Sequence, residues 1–362
     1  MGLGLYIHIP FCEKKCYYCN FYSITGFSQN IVDKYFDRLK EELSEYNSEE
    51  IDSIYLGGGT PSVIAYEKYF DLMSYLESNF TLDLKEFTFE YNPIHFDIDY
   101  LNKIYDLGVT RISFGVQSFI DKKLELLGRL HRFSDLKKIF KNRDLYKNIS
   151  IDLIFGLKKD FRLIKKDLNY IKKLEPEHLS IYNLKVEKNT RLYEMIKKGE
   201  VSLQNENEEA ETYEYINRFL KRNGYKHYEI SNYCLDDFYS IHNLKYWHFD
   251  DFIGIGVSAA GYYKNKYYKN HDSIKRYLEN GYHAHEESID KNMKEYYKII
   301  MGLRLEQGIK LSDNRIIKLK KSRVNKFIEI KNKRVSIKEK YFFISNSIIN
   351  EITELLLKRE SE

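Results

Sequence analysis

The chain has too few cysteines to be held together by disulfides. Four occur in 362 residues, and three of those fall within eight positions, so no framework of bridges can be drawn through them. Thiols left unpaired point to a reducing compartment, and a cytoplasmic protein is expected. No apolar run approaches the roughly 20 residues a membrane-crossing helix needs. The opening MGLGLYIHIP carries neither a basic segment nor a small-residue cleavage site, so no secretory signal is expected. An excess of one charge is also missing: 58 Lys and Arg stand against 54 Asp and Glu, a net of +4. That is too mild for a nucleic-acid binder, and nucleic acid is not expected as a partner. Proline is scarce, and neither an internal repeat nor a low-complexity linker breaks the chain. Tyrosine is abundant alongside Lys, Ile and Asn. This is a bias of the whole composition, so one tyrosine taken alone carries little weight.

What is present is an alternation of short apolar runs with helical periods. Strands are expected at 3–9, 51–56, 86–91, 111–116, 149–154 and 178–184. Between them, residues 32–45, 66–80, 98–107, 122–127, 136–141 and 161–174 carry apolar positions at the helical spacing. Six such alternations imply parallel β/α units, a barrel or an open sheet. Active residues in these folds gather at the C-terminal ends of the strands. After Gly261 helical periods dominate, at 293–305 and 344–357, so a boundary near 265–290 is expected, with a core of 1–265 and a small helical C-terminal domain of 266–362. Residues 315–340 hold eleven Lys and Arg against two Glu; a solvated face is the favoured reading of that run.

Cys12, Cys16 and Cys19 stand at C-x3-C-x2-C in IHIPFCEKKCYYCNF. Closed iron–sulfur clusters take four cysteines and closed zinc sites take four ligands. Three thiolates can hold three irons of a four-iron cluster and leave the fourth open for chemistry. A zinc site completed by His8, or surface thiols without a partner, are the plainer alternatives.

Other polar residues fall at predicted strand ends. YLGGGTPS supplies Gly58, Gly59 and Thr60, where bare backbone lets a ligand approach closely; a tight turn is the alternative, and phosphate-loop spacing is absent. Glu90, Gln117, Arg129 and Asp152 would each, taken alone, be read as structural. Together they offer acceptors for ribose hydroxyls and an ammonium, and a cation for a carboxylate, which suits S-adenosylmethionine. FIGIGVSAAGY fails the dinucleotide spacing. His242, in HNLKYW, stands beside Tyr246 and the only tryptophan, Trp247. Such a histidine is usually structural, but this setting also suits a haem ligand with an aromatic wall.

From Tyr6 to about Gly308 the strings YIHIPFCEKKCYYCNF, YLGGGTPS, EYNP, RISFGVQSF with LLGRLH, IDLIFGL, YEISNY, HNLKYW, FIGIGVSAAGY and IMGLRLEQGI run in order. As a set they resemble the radical S-adenosylmethionine superfamily, in the branch of oxygen-independent coproporphyrinogen III oxidases and HemW-type haem chaperones. The last fifty residues match weakly. The resemblance implies a partial (β/α)6 barrel with a helical C-terminal domain. It implies a [4Fe-4S] cluster on Cys12, Cys16 and Cys19, with S-adenosylmethionine on the open iron. Tyr6, Tyr18, Gly58, Gly59, Thr60, Glu90, Gln117, Arg129 and Asp152 would line that pocket, Tyr18 through its backbone. His242 would ligate or touch haem.

The oxidase branch converts two propionates of coproporphyrinogen III to vinyl groups. The chaperone branch binds haem and delivers it to haem proteins, among them membrane-associated respiratory components. The oxidase pattern continues to a fourth cysteine where this chain has Phe21, and it carries an arm before the triplet, where only eleven residues precede Cys12 here. HNLKYW resembles the chaperone motif HNxxYW. A haem chaperone is therefore the expectation, and coproporphyrinogen III dehydrogenase is the alternative. One departure stands after Asp152: Lys158, Lys159 and Asp160 occupy positions where family members often carry Pro and a Gln-Thr pair.

Overall fold

The computed structural model describes residues 2–146 and 148–357. Six parallel strands, β1 (Leu3–Ile9), β2 (Glu50–Gly58), β3 (Thr81–Tyr91), β4 (Arg111–Gln117), β5 (Ile149–Phe155) and β6 (His178–Asn183), lie side by side in chain order. Helices connect them: α1 (Gln29–Leu43), α2 (Tyr66–Asn79), α3 (Ile98–Asp106), α4 (Asp121–Leu126), α5 (Phe133–Lys141) and α6 (Asp160–Leu174). Short strands β7 (Lys226–His227) and β8 (Asn232–Cys234) extend the β6 edge. At the other edge β9 (Phe252–Ile255) runs parallel to β1, followed by β10 (Ala260–Tyr263), β11 (Lys266–Asn270) and β12 (His283–Ser288).

Each central strand alternates, and the alternation explains the layers. Leu5 and Ile7, Ile54 and Leu56, Phe87 and Phe89, Ile112 and Phe114, Ile151 and Leu153, Leu179 and Ile181 form one buried apolar face. The helices cover it; α1 buries Val32, Tyr35, Phe36, Leu39 and Leu43 at helical spacing. The intervening residues are polar: Tyr6 and His8, Ser53 and Tyr55, Glu86 and Glu90, Arg111 and Ser113, Ser150 and Asp152, His178 and Ser180.

That polar face curves. The helix Ile241–His248 and the segments leading into it reach β2, β3, β4 and β6. Lys245 pairs with Asp52 at 2.7 Å and His242 with Ser53 at 3.1 Å, while the backbone N–H groups of Ile241 and His242 donate to Glu86. Arg111 donates to the carbonyls of Phe238 and Tyr239, and His178 meets Tyr228 at 2.7 Å. Six flat strands would span about 24 Å, while eight helical residues extend about 12 Å. The sheet must wrap this plug, as a partial barrel does; β1 and β6 do not pair, so the barrel stays open.

The sheet continues past residue 265 through β11 and β12 to Ser288, at the far end of the region in which the boundary is expected. The edge strand β12, HAHEES, is mostly exposed and carries no apolar period to reveal it. Nor is the C-terminal region all helix. Beside helices Lys291–Gly302, Asp313–Lys320 and Ser345–Leu357, it holds a three-stranded sheet of β13 (Ile309–Lys310), β14 (Ile328–Lys331) and β15 (Arg334–Ile337). The basic run is dispersed over these elements, with Arg315 on Glu295, Arg323 on Glu351 and Lys333 on Asp313. Among the described residues no helix is long and apolar enough to cross a membrane.

Candidate functional site

The C-terminal ends of the parallel strands open into one cavity of about 850 Å³, at the upper end of the range for small-molecule sites. All three cysteines of the triplet line it. Their loop is fixed from several sides. Cys12 N donates to Ile24 O at 2.9 Å, Tyr17 N to Leu127 O at 3.0 Å, and Cys19 N to Cys16 O at 3.2 Å. The Tyr17 ring lies against Gly128, where a side chain would collide with it, and under the Arg191 guanidinium. Burial raises the Cys12 thiol and pushes the Cys19 thiol up to about 11. Thiols so placed stay protonated until a cation replaces the proton. Among the described residues no three His, Cys, Asp or Glu side chains close on a point that would hold one ion, as mononuclear zinc requires. A four-iron cluster would put each thiolate on a separate iron. Cys234, on β8, lies outside the cavity.

The end of β2 runs along the cysteine loop. Gly59 N donates to Ile9 O at 2.8 Å and Thr60 N to Phe11 O at 2.9 Å, while Thr60 Oγ1 lies 3.3 Å from Cys12 Sγ. A Cβ on Gly59 would meet Ile9 O at 2.7 Å, and Gly58 holds φ +109 against the His8 ring. Close protein packing thus demands these glycines, beside any need of a ligand. Glu90 accepts from Tyr55 Oη at 2.8 Å and from Gly58 N at 3.0 Å. Burial raises its carboxyl. Asp152, two strands away, is raised to about 7 by burial, with Glu90 adding to the effect. Gln117 ends β4 at φ 66, where the β4–β5 register slips; left-handed backbone at a bulky residue is strain of the kind kept at binding sites. Arg129 donates to Cys16 Sγ at 3.3 Å, Asn92 Oδ1 at 3.2 Å and Gly115 O at 2.6 Å, and its buried Nε has no partner. A carboxylate beside the thiols would satisfy that nitrogen.

Comparison with known proteins places this arrangement. The family model described as "Radical SAM superfamily" matches residues 6–167. The heme chaperone HemW of Lactococcus lactis is 34% identical over 313 residues, 84% of this chain and 82% of its own. The chain belongs to the HemW family. HemW of Escherichia coli is 34% identical over 267 residues, 72% of this chain and 70% of its own. The coproporphyrinogen III oxidase HemN of Escherichia coli, a radical SAM enzyme, superimposes with a TM-score of 0.83 over 97% of this chain and 90% of its own at 21% identity, a likeness of fold. The radical SAM α/β fold expected from the sequence is borne out.

Two residues expected at the site of this HemW-family chain do not line the cavity. Tyr6 lies behind it, with its hydroxyl 2.9 Å from His8 Nδ1. His242 is fully buried: Nδ1 pairs with Ser53 at 3.1 Å and Nε2 with the Tyr246 hydroxyl at 2.7 Å. Both ring nitrogens are engaged, so direct haem ligation is not available in this arrangement. Its neighbours Tyr246 and Trp247 do reach the cavity, as do Tyr18, Gly58, Gly59, Thr60, Glu90, Gln117, Arg129 and Asp152. The Lys158–Asp160 departure has a structural account. Asp160 is buried at the start of α6, 2.8 Å from buried Lys123, and accepts from Gly156 N at 3.0 Å. Sequence reasoning missed Tyr55, Asn92, Ser113 and Arg304. Asn92 stood within EYNP and Arg304 within IMGLRLEQGI, so both strings carried a signal; Tyr55 and Ser113 were marked only by their inward strand parity.

Proposed function

We propose that this chain is a haem chaperone of the HemW type. It holds a [4Fe-4S] cluster on Cys12, Cys16 and Cys19, binds S-adenosylmethionine beside it, and passes haem to haem proteins. Membrane-associated respiratory proteins are the proposed acceptors, served from the cytoplasm. The supporting observation is the convergence of the three thiols with Arg129, Glu90 and Asp152 on one cavity, in a chain 34% identical to a HemW over 84% of its length. A cluster with one iron free of protein ligands supplies a coordination position and, when reduced, one electron.

The chain's own groups then have distinct work. Arg129 would take a carboxylate through its open Nε. Gln117, Thr60 and the glycines, with the Tyr18 backbone, would form the walls, and Tyr6 would act from behind through His8. Glu90 and Asp152 would accept from ammonium or hydroxyl groups. Phe21 stands at the cavity mouth, 68% exposed, where the oxidase pattern has its fourth cysteine. That substitution disfavours coproporphyrinogen III dehydrogenase.

Anaerobic reconstitution followed by titration with haem tests the reading. Four irons per chain and haem uptake are expected. Cys12→Ala, Cys16→Ala and Cys19→Ala should lose the cluster absorption and Cys234→Ala should keep it. One zinc per chain would remove the cluster, and absence of haem uptake would remove the chaperone. Vinyl products and carbon dioxide from coproporphyrinogen III, with a reductant and S-adenosylmethionine, would establish the oxidase instead.

A further inference from the structure

The cavity has a second end, away from the cysteines. Its walls come from other parts of the chain: β8, the helix Ile241–His248, and the C-terminal region through Arg304, Phe342 and Phe343. Three buried polar atoms in these walls have no hydrogen-bond partner among the described residues: Trp247 Nε1, Arg304 Nε and Asn232 Oδ1. Asn232 is only 4% exposed. Buried polar groups are satisfied in the great majority of cases, so these open atoms around one cavity mark a place where a ligand completes the bonding.

We infer that Arg304, Trp247 and Asn232 form a subsite that reads a carboxylate of a flat macrocycle, a haem propionate under the chaperone reading on which this assignment rests. Two of the open atoms are N–H donors, which call for an acceptor. The Arg304 guanidinium lies 5.6 Å from the Trp247 ring centre, so the cation and the indole N–H belong to one surface. Asn232 can present either amide atom, since oxygen and nitrogen exchange on a flip. The charge balance selects the ligand. Glu229, 2% exposed, also lines this end and interacts with Arg304, and burial raises its carboxyl to about 7. One cation beside one acidic group suits a singly charged carboxylate better than a dianionic phosphate. Tyr246 and Phe343 add aromatic surface on which a flat ring can lie.

A carboxylate could also come from the methionine part of S-adenosylmethionine, and the test separates the two. The reconstituted full-length chain is titrated with haem, with haem dimethyl ester and with S-adenosylmethionine, for wild type, Arg304→Gln, Arg304→Lys and Trp247→Phe. Wild type should bind the diester about ten- to a hundredfold more weakly than haem, the loss of one charge-assisted contact. Arg304→Gln should weaken haem by a similar factor, Arg304→Lys should recover part of it, and Trp247→Phe should cost several-fold while keeping the ring. None should change diester or S-adenosylmethionine binding. Equal wild-type affinity for haem and diester would overturn the subsite while leaving the chaperone standing. Arg304→Gln weakening S-adenosylmethionine instead would give the carboxylate to that cofactor and overturn the haem assignment. No haem uptake by wild type would remove the chaperone reading and this subsite with it. The wild-type ester comparison needs no variant to fold.

Discussion

The polar face inside the curved sheet has two ends, and they differ in what the polar groups do. At the N-terminal end Glu86 and Arg111 form an ion pair at 3.2 Å, both nearly inaccessible, Asp52 pairs with Lys245, Ser53 with His242 and Ser150 with His178. Two or four residues further along the same strands come Tyr55, Glu90, Ser113, Asp152 and Ser180, on the same face by the strand period. These line or border the cavity, and their partners are each other and the backbone. Inward polarity is therefore not a mark of function in this sheet. The distinguishing property is the space in front of the side chains: below, it is filled by the helix Ile241–His248 and the segments leading into it, and above, it opens into the cavity.

The sharpest way to break this contrast is to remove a charge from the closed end. Glu86→Ala would leave Arg111 buried without its carboxylate and take the acceptor from the N–H groups of Ile241 and His242. Breaking a buried pair from one side costs about 3–5 kcal/mol. Urea denaturation of the apo chain should show a loss of that size. A loss below about 1 kcal/mol would mean that the closed end is not what fixes the plug helix to the sheet.

A smaller effect comes from pH. Burial lowers the His242 imidazole to about 3, with Lys245 adding to the shift. An unfolded histidine titrates near 6.5. Below that pH the unfolded chain takes up a proton that the folded ring refuses, so stability is present above about 6.5 and lost as pH falls toward about 3. At pH 5 the cost from this one ring is about 2 kcal/mol. His242→Gln removes the titration. The stability gap between wild type and His242→Gln should narrow by about that amount between pH 7.5 and pH 5. Parallel curves would show that His242 is not held neutral, and would reopen it as a group free to meet a ligand.

The parallel strands are legible in the sequence because each carries a clean period of two, and β1 coincides with its expected span of 3–9. Strand β3 begins at Thr81, five residues ahead of expectation, because TLDLK exposes alternate positions and lacks a continuous apolar signal. The cysteine loop and the residues of the cofactor end are legible because each sits in a short string whose spacing carries the chemistry. Trp247 and Arg304 come together across 57 residues of chain, and no local pattern encodes such a meeting. The segment HNLKYW is legible as part of a site, but not which of its residues faces inward. Residues four apart share a helix face, and His242 ends up beneath Tyr246, bonded to it.

The open end supplies the finest test of the contrast. Asp152 is raised to about 7 by burial, with Glu90 adding to the effect. Between about pH 4 and 7 the folded carboxyl keeps a proton that the unfolded one releases, so its contribution to stability falls as pH rises through that window. Above pH 7 it is a charge the fold would be better without. Asp152→Asn keeps the shape, removes that charge and leaves an oxygen to accept from Ser113, 3.5 Å away. At pH 8 its urea midpoint should stay level with wild type or rise. The same substitution should weaken S-adenosylmethionine binding to reconstituted protein by about tenfold, the worth of one charge-assisted hydrogen bond. If Asp152→Asn instead destabilised the apo fold as much as Glu86→Ala, Asp152 would be another paired structural group. The two ends of the sheet would then differ only in position. A stability left intact with affinity lost would mean that evolution has tolerated a buried carboxylate here for its ligand alone.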